Sequence, residues 1–134
     1  IILLDNIDKL KQYIYHVPQV AYKIISDSSR PTTIIYNNPI NLPINLIYHN
    51  TIAIRIVKDH PFNLILQAFN KPITSTSANI SNMSPPKKFA DIDSSIKTKV
   101  DYIVPTNLTN KLNSKKSSMI IKINQDESIK VLRK

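Results

Sequence analysis

Thr51-Ile52-Ala53-Ile54-Arg55-Ile56-Val57 is followed, about twenty residues on, by Lys71-Pro72-Ile73-Thr74-Ser75-Thr76-Ser77-Ala78-Asn79-Ile80-Ser81. The first stretch is apolar and rich in β-branched residues, which makes it a strand. Between the two, after Asp59-His60-Pro61, Phe62, Ile65, Leu66 and Phe69 recur at helical spacing and predict an amphipathic helix with those four facing inward. Pro72 to Thr76 reads as extended and leads into a loop of small hydroxyl residues ending at Asn79. Strand, helix, strand and a polar loop form a unit of an α/β sheet, and ligands of such sheets sit where loops converge at strand ends.

The same alternation runs outward in both directions. Ile1 to Leu4 predicts a buried strand, and Asp5 caps a helix carrying Ile7, Leu10, Ile14 and Val17. Pro18 starts a second helix with Val20, Ala21, Ile24 and Ile25 inward, ending near Ser28-Ser29. Thr32 to Tyr36 is a strand closed by Asn37-Asn38-Pro39, and Pro43 to Ile47 is one helical turn. Beyond the polar loop, Met83-Ser84-Pro85-Pro86 precedes a helix from Lys87 to about Lys99, then a strand at Asp101 to Val104. Thr106 to Ser117 is a polar connection. Strands at Ser118 to Ile123 and Ser128 to Arg133, joined at Asn124-Gln125-Asp126, finish the chain as a hairpin. The expected architecture is a single α/β domain, residues 1–134, on a twisted mixed parallel and antiparallel sheet with flanking helices.

Composition narrows the chemistry. The 134 residues include no cysteine, which excludes a disulfide scaffold, a thiolate zinc site and a cysteine nucleophile. No apolar run approaches the roughly 20 residues of a membrane span, and Ile1-Ile2-Leu3-Leu4 is no signal peptide, so the expectation is a cytoplasmic protein without membrane contact. The sequence opens at Ile1 without a methionine, as a fragment or processed product would. Glycine is absent altogether, which also excludes a Walker-type phosphate loop. Wherever the backbone needs positive φ, asparagine must substitute, and Asn37-Asn38, Asn70, Asn82 and Asn110 stand at expected turns. The net charge of +9 rests on 15 lysines and 3 arginines. Nucleic acid or a nucleotide is a natural partner for such a charge, although a general drift toward lysine, isoleucine and asparagine dilutes that argument.

That drift gives the arginines weight. Arg55 and Arg133 persist where lysine is the common cation, and a planar guanidinium grips a carboxylate or phosphate at two points as lysine cannot; Arg30, beside Pro31, reads equally as a solvated loop residue. Ser75, Ser77 and Asn79 supply donors for anionic oxygens, though an ordinary turn uses the same residues. His16, His49 and His60 have no metal-ligand spacing, no acidic pair is placed for acid–base work, and Ser117 has no His–Asp partner. No catalytic side chain and no protein metal site are expected, so any catalysis rests on positioning and charge.

In order, these features resemble the YrdC-like threonylcarbamoyl-AMP synthases. The resemblance rests on Pro31-Thr32-Thr33-Ile34-Ile35, Thr51-Ile52-Ala53-Ile54-Arg55-Ile56 with His60-Pro61, the block Pro72 to Ser81 containing Ser77-Ala78-Asn79, Ser117-Ser118-Met119-Ile120-Ile121, and Ile129-Lys130-Val131-Leu132-Arg133. It implies an enzyme that joins L-threonine, bicarbonate and ATP into threonylcarbamoyl-adenylate and pyrophosphate, for the threonylcarbamoyladenosine modification of tRNA by downstream proteins. It further implies that Arg55, Ser75 and Ser117 hold L-threonine, that Thr51, Ser77, Asn79 and Arg133 hold ATP or its adenylate, and that Mg²⁺ arrives with the triphosphate. The family's N-terminal Thr-Asp-Thr strand and Lys/Arg pair have no counterpart here, and Asn82 and Lys134 stand at two positions where the family has glycine. The alternatives to the synthase are a non-catalytic module of the same fold that binds tRNA or double-stranded RNA through its basic surface, and an inactive remnant.

Overall fold

The computed structural model describes residues 1–58, 61–105 and 117–134. Asp59, His60, Asn110 and the rest of the polar connection at 106–116 lie outside the described residues. The chain forms two compact units, Ile1–Thr74 with Ser117–Lys134, and Ser75–Lys116.

The first unit is a six-stranded sheet of β1 (Ile2–Leu4), β2 (Thr32–Asn37), β3 (Thr51–Ile56), β4 (Ile73–Thr74), β5 (Met119–Ile123) and β6 (Ile129–Arg133), in the order β4-β1-β3-β2-β5-β6. The β1–β3 and β2–β5 pairs are parallel, while β1–β4, β2–β3 and β5–β6 are antiparallel. It is the mixed α/β sheet that the alternating pattern predicts.

Period-two alternation divides the residues between two faces. Ile2, Leu4, Ile34, Tyr36, Ile52, Ile54, Ile121 and Ile123 share one face and are buried. With them pack Leu10 of α1 (Leu10–Tyr13), Ala21 and Ile25 of α2 (Gln19–Asp27), and Ile14. The first helix is shorter than its spacing suggests, and its cap differs. Asn6, not Asp5, accepts the Asp8 amide at 2.9 Å and opens a 3₁₀ turn, Ile7–Lys9, ahead of α1. Asp5 pairs with Lys9 at 2.7 Å instead. Ile14 leaves the helix to bridge Pro39, whose segment returns beside it.

In α3 (Phe62–Phe69) only Leu66 of the four expected inward residues is fully buried; Ile65 and Phe69 are 48% and 55% exposed. A helix this short buries one turn's worth of side chain against β1, and the neighbouring turns project past the sheet. The helix ends on Asn70 at φ 53°. Asn38, Asn41, Asn50 and Asn82 also take positive φ, along with His49 and Glu127, so asparagine fills most left-handed positions among the described residues. Glu127 is the costly case, because its side chain offers the backbone no local hydrogen bond in that region. Replacing Glu127 by glycine should raise stability by about 1 kcal/mol, read as a higher thermal midpoint. The 4.0 Å contact of Glu127 with His16 is exposed and gives little to lose.

Tyr36 is 1% exposed, and its Oη has no hydrogen-bond partner among the described residues. Burial, aided by Tyr22, pushes the phenol well above the ordinary tyrosine range. Replacing Tyr36 by phenylalanine removes a desolvated hydroxyl and should stabilise the fold by about 1 kcal/mol. The sign with pH follows from the raised pKa. The folded state keeps the proton that the unfolded chain releases above about pH 10, so stability is full below that pH and falls above it. The phenylalanine variant should lose that part of the alkaline sensitivity, measured by denaturant titration at pH 8 and 11.

The second unit is mostly irregular. The helix expected over 87–99 is broken into a 3₁₀ turn, Phe89–Asp91, and α4 (Ser94–Lys97), because Asp93 accepts the Ser95 amide at 2.8 Å and starts a new helix. The strand expected at Asp101–Val104 does not form. Tyr102, Ile103 and Val104 are 74%, 42% and 42% exposed, and no strand among the described residues pairs with them.

Candidate functional site

The face of the sheet opposite the core carries the charged residues. The opposed pairs Ile73–Leu3, Leu3–Arg55, Arg55–Thr33, Thr33–Ile120 and Ile120–Arg133 form one line across all six strands. This line puts Arg55 and Arg133 on the same face, flanking Thr33 and Ile120. Neighbouring strands lie about 4.8 Å apart, so three intervals separate the two arginine backbones by about 14 Å.

Arg133 reaches back over part of that gap. Its Nε donates to the Ser118 carbonyl at 2.9 Å and its Nη2 to the Ser118 hydroxyl at 3.1 Å. The Ser118 hydroxyl in turn lies 3.2 Å from that of Thr33. Thr33 is 0% and Ser118 7% exposed, so this relay holds the guanidinium against a buried base. The pairing register shifts between Ile120 and Ile121: Ile121 faces Val131 while Ile120 faces Arg133. Leu132 is the extra residue of this bulge, and without it Leu132 would stand opposite Ile120. The irregularity therefore brings Arg133 onto the polar face.

Arg55 sits near the end of β3, half-buried, with its Nε covered and without an acceptor. Burial, and then the charge of Arg133, lowers its pKa. Among the described residues neither arginine has a carboxylate partner; the ion pairs there are Lys9–Asp5 and His16–Glu127. Two like-charged guanidiniums on one face, without an acid partner among the described residues, have the chemistry to hold a carboxylate or phosphate.

Ser117 is exposed and directly precedes Ser118. Thr51 lies at the other end of β3, four residues or about 13 Å of strand from Arg55. Its hydroxyl donates to the Tyr48 carbonyl at 2.6 Å, closing the turn through His49 and Asn50. Ser75, Ser77 and Asn79 belong to the second unit. There Asn79 Nδ2 donates to the carbonyls of Ile80 at 3.0 Å and Met83 at 2.9 Å, so its amide holds the loop together. Its Oδ1 is covered and has no partner, while Ser77 is exposed.

The structure thus brings together Arg55 and Arg133 of the expected residues and adds Thr33 and Ser118 to them. Both additions lie in stretches singled out in the sequence, but their contact joins positions 85 residues apart, which no local pattern announces. Among the described residues no group of three His, Asp or Glu side chains could hold a metal ion, and no helix is long and apolar enough to cross a membrane.

Comparison with known proteins agrees with the sheet. The family model for Sua5/YciO/YrdC proteins, described as telomere recombination, matches residues 1–134. A protein of Methanocaldococcus jannaschii named "Putative threonylcarbamoyl-AMP synthase" is 34% identical over 125 residues, covering 92% of this chain. The chain spans 56%, about half, of that relative's length. A match over the whole sequence, on a mixed sheet of the expected kind, makes the chain a member of the Sua5/YciO/YrdC family.

Proposed function

We propose that this chain carries the L-threonine and ATP-binding sheet of a threonylcarbamoyl-AMP synthase, with residues 1–134 as one YrdC-like domain serving tRNA modification in the cytoplasm. The observation that carries this reading is the Arg55–Arg133 pair, set on one row of the sheet with no ion-paired acid among the described residues. The relative's name supports the same reaction class.

The chemistry needs two anions held close together. The threonine amine takes up bicarbonate as a carbamate with loss of water. A carbamate oxygen then attacks the α-phosphorus of ATP, and pyrophosphate leaves. In this reading Arg55, with Ser117, grips the threonine carboxylate side. Arg133, held by Ser118, meets the nucleotide phosphates, and Thr51 contacts the adenylate. Mg²⁺ enters as the ATP complex and screens the triphosphate. The side chains contribute by orienting and by stabilising charge; none needs to exchange a proton.

Pyrophosphate release from MgATP tests the reading. Release that needs both L-threonine and bicarbonate, and that falls sharply in Arg55→Ala and Arg133→Ala, supports it. ATP breakdown indifferent to threonine contradicts it.

A further inference from the structure

A second feature of the sheet stands apart from the arginine row. As the last strand in the order, β6 leaves one edge of backbone N–H and C=O groups unpaired by any strand of the sheet. Ile129, Val131 and Leu132 on it are 48%, 46% and 49% exposed. Ile129 and Val131 stand opposite the buried Ile123 and Ile121, so they extend the apolar core face outward. A groove of about 730 Å³ runs beside them, between α2 and the β5–β6 hairpin, with Ile24 and Met119 in its walls.

Arg30 lines the same groove. Its Nε and Nη2 are covered and have no hydrogen-bond acceptor among the described residues. Lys23 and Lys134 line it too. Asp27 also lines it, but the ion pairs among the described residues are Lys9–Asp5 and His16–Glu127, so Asp27 makes none with Arg30.

A free strand edge, an exposed apolar face and a guanidinium without an acceptor each lack a different complement. We propose that they dock one occupant: an extended acidic segment of another polypeptide, added as a further strand beside β6. Its backbone pairs with the β6 edge, apolar side chains on one of its faces cover Ile129 and Val131, and an aspartate or glutamate at the end of that same face reaches Arg30. A second copy of this chain fits poorly, since Ile129 to Lys134 carries Lys130, Arg133 and Lys134 and no acid, so two such edges side by side bring like charges together. A small amphiphilic anion would satisfy Arg30 and leave the edge bare.

Three eight-residue peptides separate these cases: a glutamate–valine peptide with threonine on one face and, on the other, a row of valines ending in glutamate; a lysine–valine peptide with lysine in place of that glutamate; and the first with its backbone amides N-methylated. Binding is read by two-dimensional NMR and amide exchange on the whole chain. The glutamate–valine peptide should shift and protect the β6 amides from Ile129 to Arg133. The lysine–valine and N-methylated peptides should bind about tenfold more weakly or not at all. Arg30→Gln should weaken the glutamate–valine peptide about tenfold with the thermal midpoint unchanged, because the guanidinium has no partner to lose. Ile129→Lys, an exposed substitution, should also abolish binding. Equal binding of all three peptides, or no protection of β6 by any, overturns the proposal. Protection that grows with protein concentration alone would assign the edge to a second copy, and sodium octanoate binding as tightly as the peptide would assign the groove to a small anion.

Discussion

Arg55→Lys lowers the affinity for L-threonine about tenfold or more, and the thermal midpoint stays where it was or rises slightly. The first half follows from geometry. A carboxylate held by a guanidinium fork makes two charge-assisted hydrogen bonds, and lysine offers a single point charge on a flexible stem. Losing one such bond costs about 1.5–3 kcal/mol, which is roughly one to two decades in a dissociation constant. The second half follows from the absence of partners. Arg55 makes no ion pair among the described residues, its Nε is covered without an acceptor, and burial together with Arg133 already disfavours its charge. The fold therefore has little to lose when that guanidinium is replaced. Titration calorimetry of the variant alongside a melting curve checks both halves, and unchanged threonine affinity would remove Arg55 from the site.

Ile34→Ala should remove a large part of the stability, through the opposite face of the same sheet. Ile34 is 1% exposed and sits between Ile54 on one side and Ile121 on the other, at the middle of the sheet. Truncating a buried isoleucine to alanine costs about 2–5 kcal/mol, according to how far the cavity collapses. Here paired strands hold both neighbours in register, so little collapse is available. A domain of this size has about 5–15 kcal/mol in total, and this one already bears a partnerless Tyr36 hydroxyl and several left-handed residues without glycine. The midpoint in urea should drop accordingly, and Ile34→Val should recover most of it.

The contrast between Ile34 and its neighbour Thr33 shows what was legible in the sequence. Alternation in Thr32 to Tyr36 and in Thr51 to Val57 identifies the strands because each side chain answers to a local period. The same local logic places asparagine at left-handed turns, and Asn38, Asn70 and Asn82 are found there. It fails where a polar residue competes with the pattern. Asp93 restarts the helix inside 87–99, and Asn6 displaces Asp5 as the cap. It also fails where a strand needs a partner that does not come, as at Asp101–Val104.

For the site, retention of arginine in a lysine-rich chain singles out Arg55 and Arg133. Their shared row, and the Leu132 bulge that puts Arg133 on it, depend on pairing between distant segments. The Thr33–Ser118–Arg133 relay has the same long-range origin. In Asn79 the sequence signal was sound as a turn signal, since the amide spends its donors on loop carbonyls.

Calorimetric titration of the folded chain with MgATP, followed by L-threonine, tests the central claim most directly. The account predicts binding in the micromolar to low-millimolar range, about 8 to 4 kcal/mol, weakened by Arg133→Ala for the nucleotide and by Arg55→Ala for threonine. No heat from either ligand with a demonstrably folded sample, or binding that both substitutions leave unchanged, would contradict it.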